Sequence, residues 1–303
     1  MTYHLKPDGR LSSEVHGVAE DQLAGAIAAI EGGADLHERV HDLRKRMKRL
    51  RGLLRLVRPV LGEAYDRENR EFRDIARLFS NIRDGQVLSD TLERLAPDGE
   101  DARALAPLRD WAARRRETVL AARYVEDRMS TAAARLREAR ARLPAWVIEG
   151  DTRKTLRGGL KKTYGRARDC HFAALEAPGD DVLFHQWRKR VKYHWYHCRL
   201  LRAAWPEAMR ARIGTLDALS GALGDDHDLV VLRGMLKAEA DGALPPAALH
   251  RADALCAGKS AALRHRAFAL AGRVMAEDSR ALAHRLTQYW VTAPMIAAAA
   301  RPG

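Results

Sequence analysis

The stretch VHDLRKRMKRLRGLLRLVRP, residues 40–59, carries eight lysines and arginines and a single acid. Its apolar residues are nonetheless regular. Counted from just upstream, Leu36, Val40, Leu43, Met47, Leu50, Leu54, Val57 and Leu61 recur at alternating intervals of four and three. That spacing lays them along one face of a long helix. The remainder of the 303-residue chain supports the same class. Ala, Leu, Arg and Glu dominate, only 6% of residues are aromatic, and alternating Val/Ile-rich runs are absent. Intrinsic propensity then favours helix over strand, and the expected fold is all-α.

Turn signals divide the chain. Pro59 and Gly62 are expected to end the first long helix. A second covers residues 65–83, and Asp84 is placed to cap a third over residues 85–95. After APDGED a long pattern runs from Ala102 to Arg142, and Pro144 marks the midpoint. The second half repeats the order: a helix from Thr152 to Leu175, the turn APGDD, and a second basic helix from Val182 to Ala204. A further helix, a turn at Asp225 and Asp226, another helix, the breaker DGALPP and a final helix from Ala247 to Trp290 complete it. His41 and His185 are 144 residues apart, and Asp84 and Asp225 are 141 apart. Two elements repeated in order at nearly one offset point to a duplicated helical unit. The expected organisation is one domain over residues 1–303, built from halves at about 15–143 and about 146–295, each an antiparallel bundle.

Net charge is +13, and its placement says more than its size. Residues 41–58, 153–168 and 185–202 together carry +20, whereas the other 251 residues carry −7. Seven of the ten lysines lie in those three segments. An ammonium is a point charge and a guanidinium a planar fork, so this usage is not interchangeable at a phosphate. Such focusing implies a polyanionic partner. The three cysteines form no C-x-x-C pair and are odd in number, which favours a reducing compartment. No run approaches the roughly 18 apolar residues of a membrane span, and no signal peptide is evident, so a cytoplasmic location is expected.

The charges share a face. His37, His41, Arg44, Lys48, Arg51, Arg55 and Arg58 each follow a seam residue by one position, about 100° around the helix. In the later helix, His185, Arg188, Lys192, Trp195, Arg199 and Arg202 run beside a seam of Phe184, Trp187, Val191, Cys198 and Leu201. Like charges at this spacing cost a few tenths of a kcal/mol per pair. A ligand with regularly spaced phosphates, threaded between the helices, removes that cost.

HDLRKRMKRLRGLLRLVRP…RDIARLFSNIRDGQVL in the first half resembles the signature of the conserved histidine α-helical domain (CHAD) family. LRGGLKKTYGRARD…FHQWRKRVKYHWYHCRLL…LSGALGDDHDL in the second half does the same. The resemblance covers nearly the whole chain. It implies two antiparallel four-helix bundles about a pseudo-two-fold axis, with a basic surface or channel at their junction. It implies binding of inorganic polyphosphate, association with polyphosphate granules and their polyphosphate-metabolising proteins, no catalysis and no cofactor. Carried over, the motif histidines are His41 and His185, and the motif cations are Arg44, Lys45, Lys48, Arg51, Arg188, Lys189 and Lys192. Arg157, Lys161, Tyr164, Arg166 and Arg168 follow from the glycine-containing stretch, and Arg55 and Arg199 extend the two stripes. Where the first helix has Arg49 and Arg51, the second has Tyr193 and Trp195, so the two walls contribute unequally. No EXEXK-like strand of a triphosphate-processing CYTH module is present, and the stand-alone form is expected.

Rival readings remain at this level. GDDHD, residues 224–228, offers metal-ligand types, but consecutive residues on a helix point apart. His194 and Cys198 have zinc-compatible spacing but lack two further ligands. A phosphate-ester hydrolase needs a nucleophile or a metal-holding carboxylate beside the basic face, and the basic segments hold almost no acids. Nucleic-acid binding would need aromatics exposed for base stacking, with Trp187, Tyr193, Trp195 and Tyr196 as candidates. A membrane-surface helix would need a free apolar face, which the seam reading assigns to the core.

Overall fold

The computed structural model describes residues 3–120, 124–238 and 244–299, and among them the chain is all α-helical with no strand. The elements are α1 (Leu11–Glu31), α2 (Leu36–Arg77), α3 (Ser80–Leu95), α4 (Gly99–Ala104), α5 (Ala106–Leu120) and α6 (Tyr124–Ala141). A short 3-10 turn at Leu143–Ala145 precedes α7 (Thr152–Glu176), α8 (Asp181–Leu200), α9 (Pro206–Ala238), α10 (Pro246–Val274) and α11 (Ser279–Ala299).

The opening seam is the core-facing edge of α2, and Val40, Leu43, Met47, Leu50, Leu54, Val57 and Leu61 are all buried. Asp35 caps the helix by accepting from the His37 amide at 2.9 Å, satisfying one of its orphan donors. Pro59 does not end α2. The break falls at Gly62 alone, whose φ of 50° and ψ of −132° kink the helix in a region that favours glycine. Helix then continues to Arg77.

Two cores hold the helices together. The larger takes side chains from α1, α2, the start of α3, α6, α7, α8, the first part of α9, the end of α10 and α11, with Trp146, Trp187, Tyr164 and Phe72 as its largest fully buried members. The smaller joins α3 and α5 to the end of α9 and to α10 through Leu88, Leu92, Leu232 and Cys256. Both cores thus draw on both halves of the sequence.

One crossing positions the site. α7 packs against α2, and a Cβ on Gly159 would lie 1.9 Å from the Leu56 carbonyl oxygen, while one on Gly158 would lie 2.9 Å from the Pro59 ring. The paired glycines therefore let two backbones approach more closely than any side chain permits. At the far end of α2, Glu68 is fully buried and takes two parallel bonds from Arg142, at 2.9 and 3.1 Å.

Several expected boundaries move. Asp84 lies inside α3, which starts at Ser80, and so caps nothing, and Asp225 and Asp226 lie inside the continuous α9 where a turn was expected. The segment expected as one helix from Ala102 to Arg142 contains α4, α5 and α6, and its residues 121–123 lie outside the described ones. The final helix divides between Val274 and Ser279, where Asp278 accepts from the Arg280 amide at 2.7 Å and starts α11. Within DGALPP, residues 241–243 likewise lie outside the described set.

Candidate functional site

The basic stripes of α2 and α8 meet α3 around a recess of about 210 Å³. His41, Arg44, Lys45, Lys48 and Arg49 line it from α2, and Arg83 lines it from α3. Lys192, Trp195, Tyr196 and Arg199 complete it from α8. Seven of these ten residues are Lys or Arg, and none is a carboxylate.

Aromatic faces hold the cations apart. The Lys192 ammonium lies 3.9 Å from the Trp195 ring centre, and the Arg199 guanidinium lies 4.7 Å from the same ring. Arg49 and Arg199 also flank Tyr3, at 5.5 and 5.9 Å. Tyr3 is itself pinned: its hydroxyl donates to the Arg49 carbonyl at 2.8 Å, and the neighbouring Leu5 amide donates to the Leu200 carbonyl at 2.8 Å. Residues 3–5 are therefore docked on α2 and α8 beside Arg49 and Arg199 of the recess.

The charge is strained. Lys48 is open to solvent yet sits among concave protein walls, so water reaches it without surrounding it. Burial, then Arg44, Arg188, Arg83 and Lys192, lower its pKa from 10.5 to about 7. Lys192 falls to about 8, again chiefly by burial and then by Arg188 and Arg199, against an opposing pull from Asp217. Burial and the nearby Arg83, Lys45 and Lys48 lower His41 as well. Each shift disfavours a charge that a bound anion would restore.

Acids stand behind the recess wall. Burial lowers the Arg44 pKa, and the nearby Asp84 offsets part of that shift. Burial likewise lowers Arg188, against an opposing pull from Asp228 and Asp225. The positions read as turn acids thus serve as partial counter-charges to the motif arginines.

Other expected site residues lie elsewhere. His185 faces α9, with its Nδ1 3.2 Å from Nδ1 of His227 and the ring centres 4.3 Å apart. Burial and Arg188 push His227 down to about 4, and burial, Lys189 and Arg188 lower His185 as well, so both rings are biased toward the neutral form, in which one imidazole can donate to the other. Lys161 and Lys189 are exposed and line neither the recess nor the smaller basic pocket beside it. Arg157 meets Nδ1 of His284 on α11 at 3.1 Å. Arg168 donates to the Met275 carbonyl at 3.1 Å, and the fully buried Tyr164 donates to the Glu277 carbonyl at 2.8 Å. Residues 157, 161, 164 and 168 share a helix face, and α7 packs against α11 as well as α2. Its opposite side, with Lys162 and Arg166, is the one that meets α2.

The rival constellations dissolve into packing. Asp226 is buried, accepting from Ser260 and, at 3.1 Å, from Arg264, while its neighbour His227 turns to His185. His194 and Cys198 are fully buried, and Arg212 donates to His194 Nε2 at 3.0 Å. A cation stands where a zinc ion would. Among the described residues no group of three or more His, Cys, Asp or Glu could hold a metal, and no helix is long and apolar enough to cross a membrane.

The family model of the CHAD domain matches residues 18–237. The chain belongs to the CHAD family. No curated protein matches it in sequence. Among solved structures it is similar to the CHAD domain from the plant Ricinus communis, at 20% identity and a TM-score of 0.55, over 94% of both chains. At that identity the likeness is one of fold. It extends beyond residue 237 and so takes in the helices that follow the matched region of this CHAD protein.

Arg83 and Tyr3 were not among the expected site residues. Arg83 sits in the quoted family stretch FSNIRDGQVL, so its position was available, but one arginine beside an acid carries no stripe signal. Tyr3 had none at all.

Proposed function

We propose that this protein binds inorganic polyphosphate in the recess between α2, α3 and α8, without catalysis, and that this binding places it at polyphosphate granules in the cytoplasm. The observation that carries the reading is the lining: seven Lys or Arg side chains, two aromatics, one histidine and no acid. Polyphosphate offers a row of charges and no bases. A site for it needs cations in series with a route for the chain, and α2 supplies both along one stripe.

Two further features favour this over the rivals. Trp195 is half-buried with Lys192 and Arg199 against it, and Tyr196 is buried, so neither presents a free face to a nucleobase. Hydrolysis of a phosphate ester needs a carboxylate-held metal, or a nucleophile with an acid that protonates the leaving oxygen; the recess lining offers His41 as a nucleophile and no carboxylate to serve beside it.

The test is displacement of labelled long-chain polyphosphate by unlabelled polyphosphate, single-stranded DNA or heparin, at equal charge and salt. Polyphosphate is expected to compete at least tenfold better than DNA. Equal competition would make the recess a general polyanion site. The double variant Lys48→Glu with Lys192→Glu should stay helical by circular dichroism and lose binding. Retained affinity would place the site elsewhere. The logarithm of affinity should fall with that of salt concentration at a slope of about −0.7 per phosphate neutralised, as for single-stranded chains, and the double variant should flatten that slope.

A further inference from the structure

A second basic pocket lies beside Tyr193, of about 20 Å³ against about 210 Å³ for the recess. Three helices supply its cations: Arg55 and Arg58 from α2, Lys162 and Arg166 from α7, and Arg190 from α8. No carboxylate lines it. A space of that size admits about one water-sized group. A run of polymer cannot pass through it, but one oxygen of a chain end can enter, with the rest of the phosphoryl group at its mouth.

We propose that this pocket takes the terminal phosphoryl group of a polyphosphate chain whose interior units lie in the recess. The inference rests on the polyphosphate reading above and assigns that ligand a direction. An interior unit carries one charge. An end group has a second ionisable oxygen and, like a phosphate monoester, carries about −1.5 to −2 at pH 7. Five cations around so small a space match the end group better than an interior one.

Aromatic rings hold the arginines of α2, and the one acid that acts on Lys162, Asp66, lies outside the lining. The Arg58 guanidinium lies 4.3 Å from the Tyr65 ring centre, and Arg55 lies 3.8 Å from that of Tyr193. Aromatic faces fix a guanidinium while leaving a carboxylate out of competition for its N–H groups. Lys162 feels the surplus, its pKa being lowered first by Arg58.

The two sites are joined. Arg55 and Arg51 share the Asn69 side-chain oxygen, at 2.8 and 3.1 Å, and both lie over Tyr193. Arg51 thereby stands between the pocket and Lys48. From Arg58 to Lys48 is ten residues of helix, about 15 Å along its axis. A chain anchored by its end at Arg58 therefore crosses Arg51 into the recess.

The test compares long-chain polyphosphate with free ends against the same chains capped at both ends as methylamine phosphoramidates, which removes the extra charge. Capping should weaken wild-type binding about tenfold, the loss of one charge-assisted contact. The exposed-site variant Arg166→Glu, and separately Arg58→Ala, should bring the free-to-capped ratio to about one. Pyrophosphate should bind the wild type, bind Lys48→Glu with Lys192→Glu as well, and fail with Arg166→Glu. Equal binding of capped and free chains by the wild type overturns the proposal, as does an unchanged ratio in Arg166→Glu. Competition by inorganic phosphate alone as strong as that by pyrophosphate also overturns it, in favour of a free-phosphate site. Wild-type protein that binds pyrophosphate through Arg166 but no long chain would leave the pocket as a pyrophosphate site and overturn both the recess reading and the chain direction built on it.

Discussion

Polyphosphate affinity should depend on pH through Lys48 more than through the histidines. In the free protein the Lys48 ammonium is lowered to about 7 by burial and by the cations around it. A polyanion in the recess cancels that repulsion and raises the pKa again. The sign follows. Below pH 7 Lys48 is charged both free and bound, and its full contribution is present. Above pH 7 the free protein loses a proton that the complex must take back, so affinity falls as pH rises. The limit is tenfold per pH unit per group. Lys48 is open to solvent, and salt screens part of the repulsion, so about tenfold in all between pH 7 and 9 is the expected loss from Lys48. Lys192, lowered to about 8, adds to the slope above that pH. His41, lowered below its usual 6.5, adds a smaller gain as pH falls toward 6. Fluorescence anisotropy of labelled polyphosphate from pH 6 to 9 at constant ionic strength measures the profile. Lys48→Arg, whose guanidinium does not titrate in this range, should flatten the step above pH 7. A flat wild-type profile, or a Lys48→Arg profile identical to it, refutes the reasoning.

Two further outcomes concern the scaffold. Gly159→Ala should destabilise the fold by roughly 1–3 kcal/mol, the usual range for overpacking, and toward the upper end because a backbone carbonyl stands where its Cβ would go; an unchanged urea midpoint would show that the α2–α7 crossing can open. Acid should cost stability before most carboxylates titrate. Burial lowers His197 to about 3 and lowers His194 too, while unfolded histidines titrate near 6.5. The unfolded chain therefore gains protons first, and stability present above pH 6.5 is lost as pH falls toward 3, by about 1.4 kcal/mol per unit for each histidine. Equal urea stability at pH 7 and 4.5 would contradict this.

The sequence shows its helices through the seams and its site through the stripes, and both readings are local. The residues of α2 needed only their own spacing to declare a buried edge and a charged edge beside it. What the spacing lacks is the identity of the neighbour. Along α7, positions 157, 161, 164 and 168 form as regular a face as any, yet α11 lies against it and Tyr164 is buried there. Only the paired glycines Gly158 and Gly159 marked the side that meets α2, and a glycine pair within a helix reads first as a weakness. Asp84 looked like a cap, and Asp225 and Asp226 like a turn, because an acid beside a turn signal and an acid facing an arginine across a helix interface have the same local sequence. The break before Ser279 carries neither glycine nor proline, and its one signal was the Asp-Ser pair at 278–279.

The unequal walls of the site then have a physical account. Where α2 presents Arg49 and Arg51, α8 presents Tyr193 and Trp195, and the structure brings these aromatics against the cations themselves. Arg51 and Arg55 lie over Tyr193, and Lys192 and Arg199 over Trp195. An arginine at 193 would have faced the Arg51 and Arg55 guanidiniums of α2, and one at 195 would have stood against Lys192 and Arg199 of its own helix, with no acid in the recess lining to neutralise it. An aromatic face attracts a cation by up to about 2 kcal/mol when desolvated and leaves its N–H groups available, which a carboxylate would not. The fold thus keeps two basic stripes adjacent without filling the space between them with counter-ions. The charge left uncompensated is concentrated at Lys48, the group most shifted among the recess cations and the one an incoming anion would relieve most.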